Sequence, residues 1–174
     1  MHIIHRGIVN KKFSENNYYS FKESFKKGFG IETDIHATKD EKFICFHDFT
    51  LKRIFKNKLS VKNLTYSKIK QLSSKVNNKV PLLSDVLKMN QNKHYIFIEI
   101  KPVFSKRLLE RLVRETNKYL KCVFISFNHN NIKNLLKIKK NIKIGLSFSS
   151  KASIKNIVKK SKNRKINYLI LDKF

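Results

Sequence analysis

Residues 30–47, which read GIETDIHATKDEKFICFH, decide the fold, because two apolar runs stand only seven residues apart. The first run, Gly30–Ile35, carries an acidic residue at every second position, and the second, Phe43–His47, ends on a histidine. Short apolar runs of this kind are typical of buried strands. A helical crossover does not fit into seven residues. If the two strands are parallel neighbours, we therefore expect an extended connecting loop and a distorted sheet or barrel.

Outward from this segment, apolar runs alternate with amphipathic Lys-rich segments, which is the pattern of an α/β fold. The sequence contains no Gly/Ser/Pro-rich linker and no internal repeat, so we expect a single domain over residues 1–174. The other predicted strands are His2–His5, Tyr95–Ile100, Cys122–Phe127, Ile142–Phe148 and Tyr168–Leu171. The predicted helices are Tyr18–Lys27, Tyr66–Ser73, Leu82–Met89, Lys106–Leu120, Asn131–Lys139 and Ile154–Lys160.

The composition excludes several classes of protein. Hydrophobic residues make up 41% of the chain, with 14 Phe, which excludes a disordered chain. No apolar stretch approaches the ~20 residues that span a bilayer, and the N-terminal MHIIHRG does not resemble a secretory signal. The cytoplasm is the expected compartment. Cys45 and Cys122 lie in apolar runs without metal-type spacing, and we expect both to be reduced core residues.

The charge is strongly positive, since 39 basic and 12 acidic residues give a net charge of +27. Such a charge ordinarily indicates nucleic acid or an anionic membrane as partner. However, 33 of the cations are Lys and 6 are Arg, whereas proteins that read DNA grooves rely on the Arg fork. Lys, Asn, Ile, Phe and Tyr, which have A/T-rich codons, form over half of the chain. We attribute most of the excess to codon bias and predict no specific nucleic-acid partner, leaving open peripheral contact with an anionic membrane.

Polar side chains end four of the predicted strands, where catalytic groups of parallel α/β folds gather. They are His5, Glu32 with Asp34, His47, and Glu99 followed by Lys101. The two-residue period of a strand puts Glu32 and Asp34 on one face, as it does Glu99 and Lys101, so three carboxylates can converge. Carboxylates buried together repel one another, and either a divalent cation, Mg²⁺ or Ca²⁺, or a group of cationic side chains must neutralise them.

The two strand-end histidines, His5 and His47, supply groups that titrate near neutral pH and act as general acid or base. Arg6 and Lys101 add fixed positive charge suited to a phosphate. The sequence has no Cys beside a His and no G-x-S-x-G elbow, so no protein nucleophile is indicated. The histidines without such partners are expected to be loop or surface residues: His36, His94 and His129.

Taken together, several motifs resemble the glycerophosphodiester phosphodiesterase family in residue type, order and spacing. The match is good over residues 1–130 and looser around Ser126-Phe127 and Leu169–Asp172; Asn17 stands where the family usually has Thr. The matching motifs are HRG at 5–7, Glu15-Asn16 with Ser20-Phe21, IETDIHATKD at 31–40, FHD at 46–48 with Leu51 and Arg53, Pro81-Leu82, and IEIK at 98–101.

The resemblance implies a TIM-type barrel that hydrolyses glycerophosphodiesters to glycerol 3-phosphate and an alcohol with one bound Mg²⁺ or Ca²⁺. In the mechanism it implies, the glycerol hydroxyl of the substrate attacks phosphorus, and water opens the resulting cyclic phosphate. Two alternatives remain: a related lysophospholipase D, and an inactive Lys-rich protein that binds anions or nucleic acid. The roles implied are metal ligands for Glu32, Asp34 and Glu99, an acid/base pair for His5 and His47, and phosphate ligands for Arg6 and Lys101.

The C-terminal part departs further from the family pattern, since only seven strands are predicted and the sequence has no Trp. A TIM barrel needs eight strands. We therefore expect a barrel that is incomplete at the C-terminus, with the eighth strand missing. Its open edges predict low stability as a monomer, relieved by a homodimer or by a further C-terminal segment in the natural gene product.

Overall fold

The structure is a computed structural model that describes residues 1–74 and 78–172. Its centre is a sheet in which six strands run parallel in the order β1-β2-β4-β5-β6-β7, while β3 pairs antiparallel with β2. All seven predicted strands are present, with ends that differ by up to two residues. The strands are β1 Ile3–His5, β2 Gly30–Ala37, β3 Phe43–Cys45, β4 Ile96–Ile100, β5 Cys122–Ser126, β6 Lys143–Phe148 and β7 Tyr168–Leu171.

Helices separate most of the strands, and the six that were predicted are all present. The largest difference is at the helix that begins at Lys106, which ends at Thr116, four residues earlier than expected. One short helix (α2) and a 3-10 helix at Val61–Asn63 were not predicted. The helices are α1 Tyr18–Lys26, α2 Lys52–Phe55, α3 Tyr66–Ser74, α4 Leu83–Asn90, α5 Lys106–Thr116, α6 His129–Ile138 and α7 Ile154–Ser161.

The short connection between β2 and β3 is a hairpin. Ala37 pairs with Phe43 and Ile35 with Cys45, and the backbone N–H of Thr38 donates to the carbonyl of Lys42 at 3.0 Å. An antiparallel pair needs only a short turn, whereas a parallel pair needs a crossover of a dozen or more residues. Because β2 and β3 are not parallel neighbours, the sheet needs no extended and distorted connection between them. Within the described residues, the parallel part of the sheet therefore has six strands rather than seven.

The parallel strands bury both faces of the sheet. On the outer face, strand residues such as Ile98 and Phe124 pack with helix residues such as Leu109. Cys45 and Cys122 are buried on this side with free thiols, and burial raises the pKa of each to about 12, which agrees with the prediction of reduced core residues.

The inner face is lined by a second apolar cluster that shows how strongly the sheet curls. The rings of Phe97 in β4 and Tyr168 in β7 lie 5.0 Å apart, although two strands separate β4 from β7. In a flat sheet, strands ~4.8 Å apart would place these two strands about 14 Å from each other. Ile3 of β1 belongs to the same cluster. The sheet is therefore an open, barrel-like arc, which confirms the predicted incomplete TIM-type barrel.

A small lobe follows the β2–β3 hairpin and has its own core. Its buried residues are Ile44, Phe46, Leu51, Val61, Leu64, Ile69 and Val80. Because β3 pairs with the last residues of β2, the lobe lies beside the carboxyl end of β2. The backbone N–H of the lobe residue Phe46 donates to the carbonyl of Asp34 at 2.9 Å, which places the next residue, His47, beside β2.

No described helix is both long enough and apolar enough to cross a lipid bilayer.

The outer strands of the arc have free edges, because within the described residues β1 pairs only with β2 and β7 only with β6. We expect the 174-residue chain to self-associate through these edges, since unpaired strand edges recruit other strands. Light scattering should show a dimer that Leu171→Lys, at the 51% exposed end of β7, shifts towards monomer. Leu120→Lys, which adds the same charge at a 78% exposed site elsewhere, should leave the dimer intact. A monomer with ordinary cooperative thermal unfolding would contradict this expectation.

Candidate active site

Three carboxylates meet on the inner face, two from the middle of β2 and one from the carboxyl end of β4. Glu32 and Asp34 lie two residues apart on β2, and Asp34 pairs in register with Glu99 of β4. One carboxylate oxygen from each of the three lies within 4.8 Å of the others. The convergence predicted from the two-residue period is therefore present, and we call these residues the carboxylate cluster.

Two members of the carboxylate cluster have cationic partners. Lys101 Nζ lies 2.9 Å from Oε1 of Glu99 and 3.4 Å from Oδ1 of Asp34. Nε of Arg6 lies 3.1 Å from Oδ2 of Asp34 as an ion pair, without the alignment of a hydrogen bond. The Asn16 side-chain amide donates to the same oxygen at 2.9 Å. Burial lowers the pKa of Lys101, but Glu99 and Asp34 outweigh it and raise the pKa overall, which keeps this lysine charged.

The third member, Glu32, has no lysine or arginine ion-pair partner among the described residues, and the Arg6 charge offsets its burial only in part. Its two carboxylate oxygens are buried and accept no hydrogen bond from any residue that the structure describes. Burial, followed by repulsion from Asp34 and Glu99, raises the pKa of Glu32 well above its ordinary value. The nearest cationic candidate is His5, whose Nε2 lies 3.7 Å from Oε2. Three clustered carboxylates, one of which has buried oxygens that accept no hydrogen bond from a described residue, offer the oxygen ligands that a hard divalent cation prefers.

The HRG turn at residues 5–7 places two of the predicted residues. Arg6 and Gly7 both have left-handed backbone angles, with φ of 57° and 78°, and the backbone N–H of Arg6 donates to the Glu32 carbonyl at 3.0 Å. A Cβ at position 7 would lie 2.7 Å from Ser20 Oγ, so only glycine fits. The turn leaves the His5 side chain 71% exposed at the end of β1. Partial burial and then the Arg6 charge lower the pKa of His5, which favours its neutral form.

His47 is held by a chain of charged side chains. Its Nδ1–H donates to Oδ1 of Asp48 at 2.6 Å, and Asp48 accepts from Nε of Arg53 at 2.7 Å. Arg53 continues to Glu15, which also accepts from Nη1 of Arg6 at 3.3 Å. Burial raises the pKa of Asp48, but the bonds from Arg53 and His47 lower it overall. This series of side-chain bonds thus links His47 to Arg6, and Nε2 of His47 takes no part in it.

His36 shows where the sequence-based prediction was wrong. It is buried in β2 rather than in a loop or at the surface, and its Nε2 lies 3.1 Å from the carbonyl oxygen of His47. His36 therefore supports the backbone of a predicted site residue. Of the other two, His94 is half-buried after α4, as expected for a loop residue, whereas His129 begins α6.

Four further residues of the site had no assigned role in the sequence. Each belongs to a motif that carried the family resemblance. Only Asp48 had a local signal for a role in the site, because it directly follows His47 in the sequence. Asn16 is buried with a left-handed φ of 49°, and its side-chain oxygen accepts from Thr33 while its amide donates to Asp34. The four are Glu15, Asn16, Asp48 and Arg53.

Comparisons with known proteins agree with this geometry. Residues 5–173 match the model of the glycerophosphoryl diester phosphodiesterase family. The chain is 30% identical over 161 residues to the glycerophosphodiester phosphodiesterase of Caldanaerobacter subterraneus subsp. tengcongensis, covering 84% of this chain and 65% of that protein. It is 29% identical over 136 residues to the human lysophospholipase D GDPD1, covering 68% of this chain and 43% of that protein. The chain thus spans about 65% or less of these curated relatives.

Solved structures share the fold. A glycerophosphodiester phosphodiesterase from Thermotoga maritima superposes with a TM-score of 0.80 at 25% identity, over 97% of this chain and 72% of that one. An Oleispira antarctica phosphodiesterase in complex with the product sn-glycerol-3-phosphate gives a TM-score of 0.82 at 18% identity, covering 97% of this chain and 73% of that one. At that identity the second likeness concerns the fold alone. From the family match over nearly its whole length, the chain belongs to the glycerophosphoryl diester phosphodiesterase family.

Proposed function

We propose that this chain hydrolyses glycerophosphodiesters to glycerol 3-phosphate and an alcohol, with one divalent cation and a pair of histidines. The observation that carries the proposal is the carboxylate cluster, in which the buried oxygens of Glu32 accept no hydrogen bond from a described residue and lie beside two carboxylates paired with Lys101. His5 and His47 lie on the segments that flank it. The curated relatives named above support the substrate class.

The cation would be held by Glu32, Asp34 and Glu99, whose oxygens suit Mg²⁺ or Ca²⁺. When bound, it would withdraw charge from the phosphoryl oxygens and so favour displacement at phosphorus. Arg6 and Lys101 would contact the remaining phosphate oxygens, since both are cations at the rim of the cluster.

The histidines would move the protons. One takes the proton of the substrate's glycerol hydroxyl as that oxygen attacks phosphorus, and the other protonates the leaving alcohol, which leaves a cyclic phosphate. Water then opens the cyclic phosphate to glycerol 3-phosphate, with one histidine taking a proton from the water and the other returning a proton to the glycerol oxygen. The attack is intramolecular and gains from proximity, which removes the need for a protein nucleophile. The neutral form favoured at His5 can accept a proton, and the bond from His47 Nδ1 to Asp48 directs its Nε2 to the substrate.

The test is turnover of glycerophosphocholine and of a lysophospholipid, each with Mg²⁺ or Ca²⁺ and with EDTA. We expect release of glycerol 3-phosphate from glycerophosphocholine with the cation, loss of release in EDTA, and recovery when the cation is restored. Salt-sensitive anion binding without any turnover would instead support a Lys-rich binding protein.

A lysophospholipase D activity is the second candidate, because human GDPD1 matches 68% of this chain. The same assay separates the two. Faster turnover of the lysophospholipid than of glycerophosphocholine would favour this second activity.

Replacing Asp48 by Asn tests how the site orients His47. The amide lacks the charge that stabilises the histidine as it gains a proton, and it no longer fixes the proton on Nδ1. We expect turnover to fall at least ~10²-fold while KM changes little, and the rate to depend differently on pH. Asp40→Asn, which alters a carboxylate of the β2–β3 turn, is the matched control and should stay near full rate. Equal rates for the two variants would show that Asp48 has no part in catalysis.

A further inference from the structure

A groove of about 790 Å³ lies between α6 and α7 on the outer face of the sheet, the face opposite to the carboxylate cluster. Its floor is apolar and is formed by Ile132, Leu136, Ile144, Leu146 and Ile166. Every residue of α7 keeps part of its surface in solvent, so this helix does not close over the floor. The volume falls within the range of about 300–1,000 Å³ that is typical of small-molecule sites.

The charged residues at the rim of this α6–α7 groove are all lysines, so the rim is positively charged. Of the described residues that line the groove, none is acidic. The lysines are contributed by α6, by α7 and by the segments that follow each of them. They are Lys133, Lys137, Lys140, Lys159, Lys160 and Lys165. A concave surface with an apolar floor and a cationic rim complements a ligand that has a hydrocarbon part and an anionic head.

One of these lysines is held in place. Lys160 Nζ lies 2.6 Å from Nδ1 of His129, whose Nε2 lies 2.9 Å from the carbonyl oxygen of Ser147. The carbonyl can only accept, so the His129 proton is on Nε2, and Nδ1 accepts from the lysine. Burial lowers the pKa of His129, which keeps the ring neutral beside the ammonium group. Lys160 is thereby fixed at the groove with N–H groups left for a ligand.

We propose that the α6–α7 groove binds an anionic amphiphile with a single hydrocarbon chain, such as an alkyl phosphate. The chain would lie on the apolar floor and the head would contact the lysines. A second copy of this protein is a poor occupant of the groove, because the self-association expected above pairs the free edges of β1 and β7 through backbone groups and makes no use of a lysine rim. A nucleic-acid backbone would use the lysines but gains nothing from an apolar floor. This binding site is separate from the site of the proposed hydrolysis and does not depend on it.

The experiment is calorimetric titration of the protein with dodecyl phosphate below the concentration at which it forms micelles. Lys133→Glu/Lys137→Glu reverses two exposed rim charges one turn apart on α6. Lys22→Glu/Lys26→Glu is the matched control, since it makes the same charge change at the same spacing on α1. We expect the groove variant to bind at least tenfold more weakly and the control variant to bind like the parent. Octyl phosphate should bind at least about tenfold more weakly than dodecyl phosphate, because less hydrocarbon is buried.

Several outcomes would overturn the proposal. Equal binding of inorganic phosphate would indicate a simple anion site, and equal binding of dodecyltrimethylammonium would show that the rim charge has no role. Equal weakening in both double variants would indicate attraction by the net charge of the chain. Binding to anionic phospholipid vesicles without binding to dodecyl phosphate would indicate a membrane surface instead. The groove variant should hydrolyse glycerophosphocholine at the parent rate, so the result is independent of the proposed hydrolysis.

Discussion

Glu99→Gln is expected to weaken metal binding and to reduce turnover sharply at the same time. The substitution removes one of three carboxylates that lie within 4.8 Å of one another, and it takes from Lys101 its partner at 2.9 Å. The lysine, already 3.4 Å from Asp34, is then left with Asp34 as its carboxylate partner, which would reduce the negative charge available to a cation still further. We expect the affinity for Mg²⁺ or Ca²⁺ to fall at least tenfold and turnover to fall ~10²-fold or more.

Calorimetric titration with each metal and a turnover assay measure the two effects on one preparation. Glu110→Gln is the control, because Glu110 is an acid of α5 that pairs only with the exposed Lys106 among the described residues. This variant should retain both metal affinity and rate. Full activity of Glu99→Gln in excess chelator would exclude the metal assignment.

His5 and His47 are expected to act as one unit. In the proposed mechanism, both proton transfers must occur for a turnover, so losing either histidine should already cost ~10²-fold or more. Replacing both should therefore cost far less than the product of the single losses. The single and double Ala variants, compared by turnover, give this result directly, with His94→Ala as a control from outside the site.

Circular dichroism should show that all of these histidine variants remain folded. Multiplicative losses from His5→Ala and His47→Ala would mean that the two act independently. One of them would then have a structural role, as His36 has.

Much of the site followed from local sequence patterns, because strand geometry is strictly periodic. Residues two apart share a face, so the placement of Glu32 with Asp34 needed no knowledge of the rest of the chain. The meeting of β2 and β4 also followed from a general rule, since the carboxyl ends of parallel strands lie at one edge. Neither inference required knowing which strands are neighbours in the sheet.

The features that the sequence left open, or in the case of His36 placed wrongly, depend on long-range contacts. Whether β3 runs parallel or antiparallel to the other strands depends on which strand it pairs with, here β2. A short apolar run is compatible with both directions. The roles of Asp48 and Arg53 depend on Glu15, which lies 38 residues from Arg53 in sequence and meets it only in the folded chain. The burial of His36 likewise depends on residues further along the chain, since it pairs with Ile44 across the hairpin and its ring lies 5.0 Å from that of Phe49.

The buried position of Glu32 has a consequence for the stability of the fold. Its pKa is raised in the folded chain, so the folded state favours the protonated carboxyl more than the unfolded state does. The stability from this residue is therefore fully present below the ordinary carboxyl pKa and is lost as the pH rises through the raised value. Above that raised value and without a cation, the ionised Glu32 opposes folding, and a cation that binds only the folded chain would offset this. The proposed chemistry thus requires the ionised form of Glu32, whereas the stability of the fold without a ligand favours the protonated form. Binding of a cation would make the ionised form compatible with the folded chain.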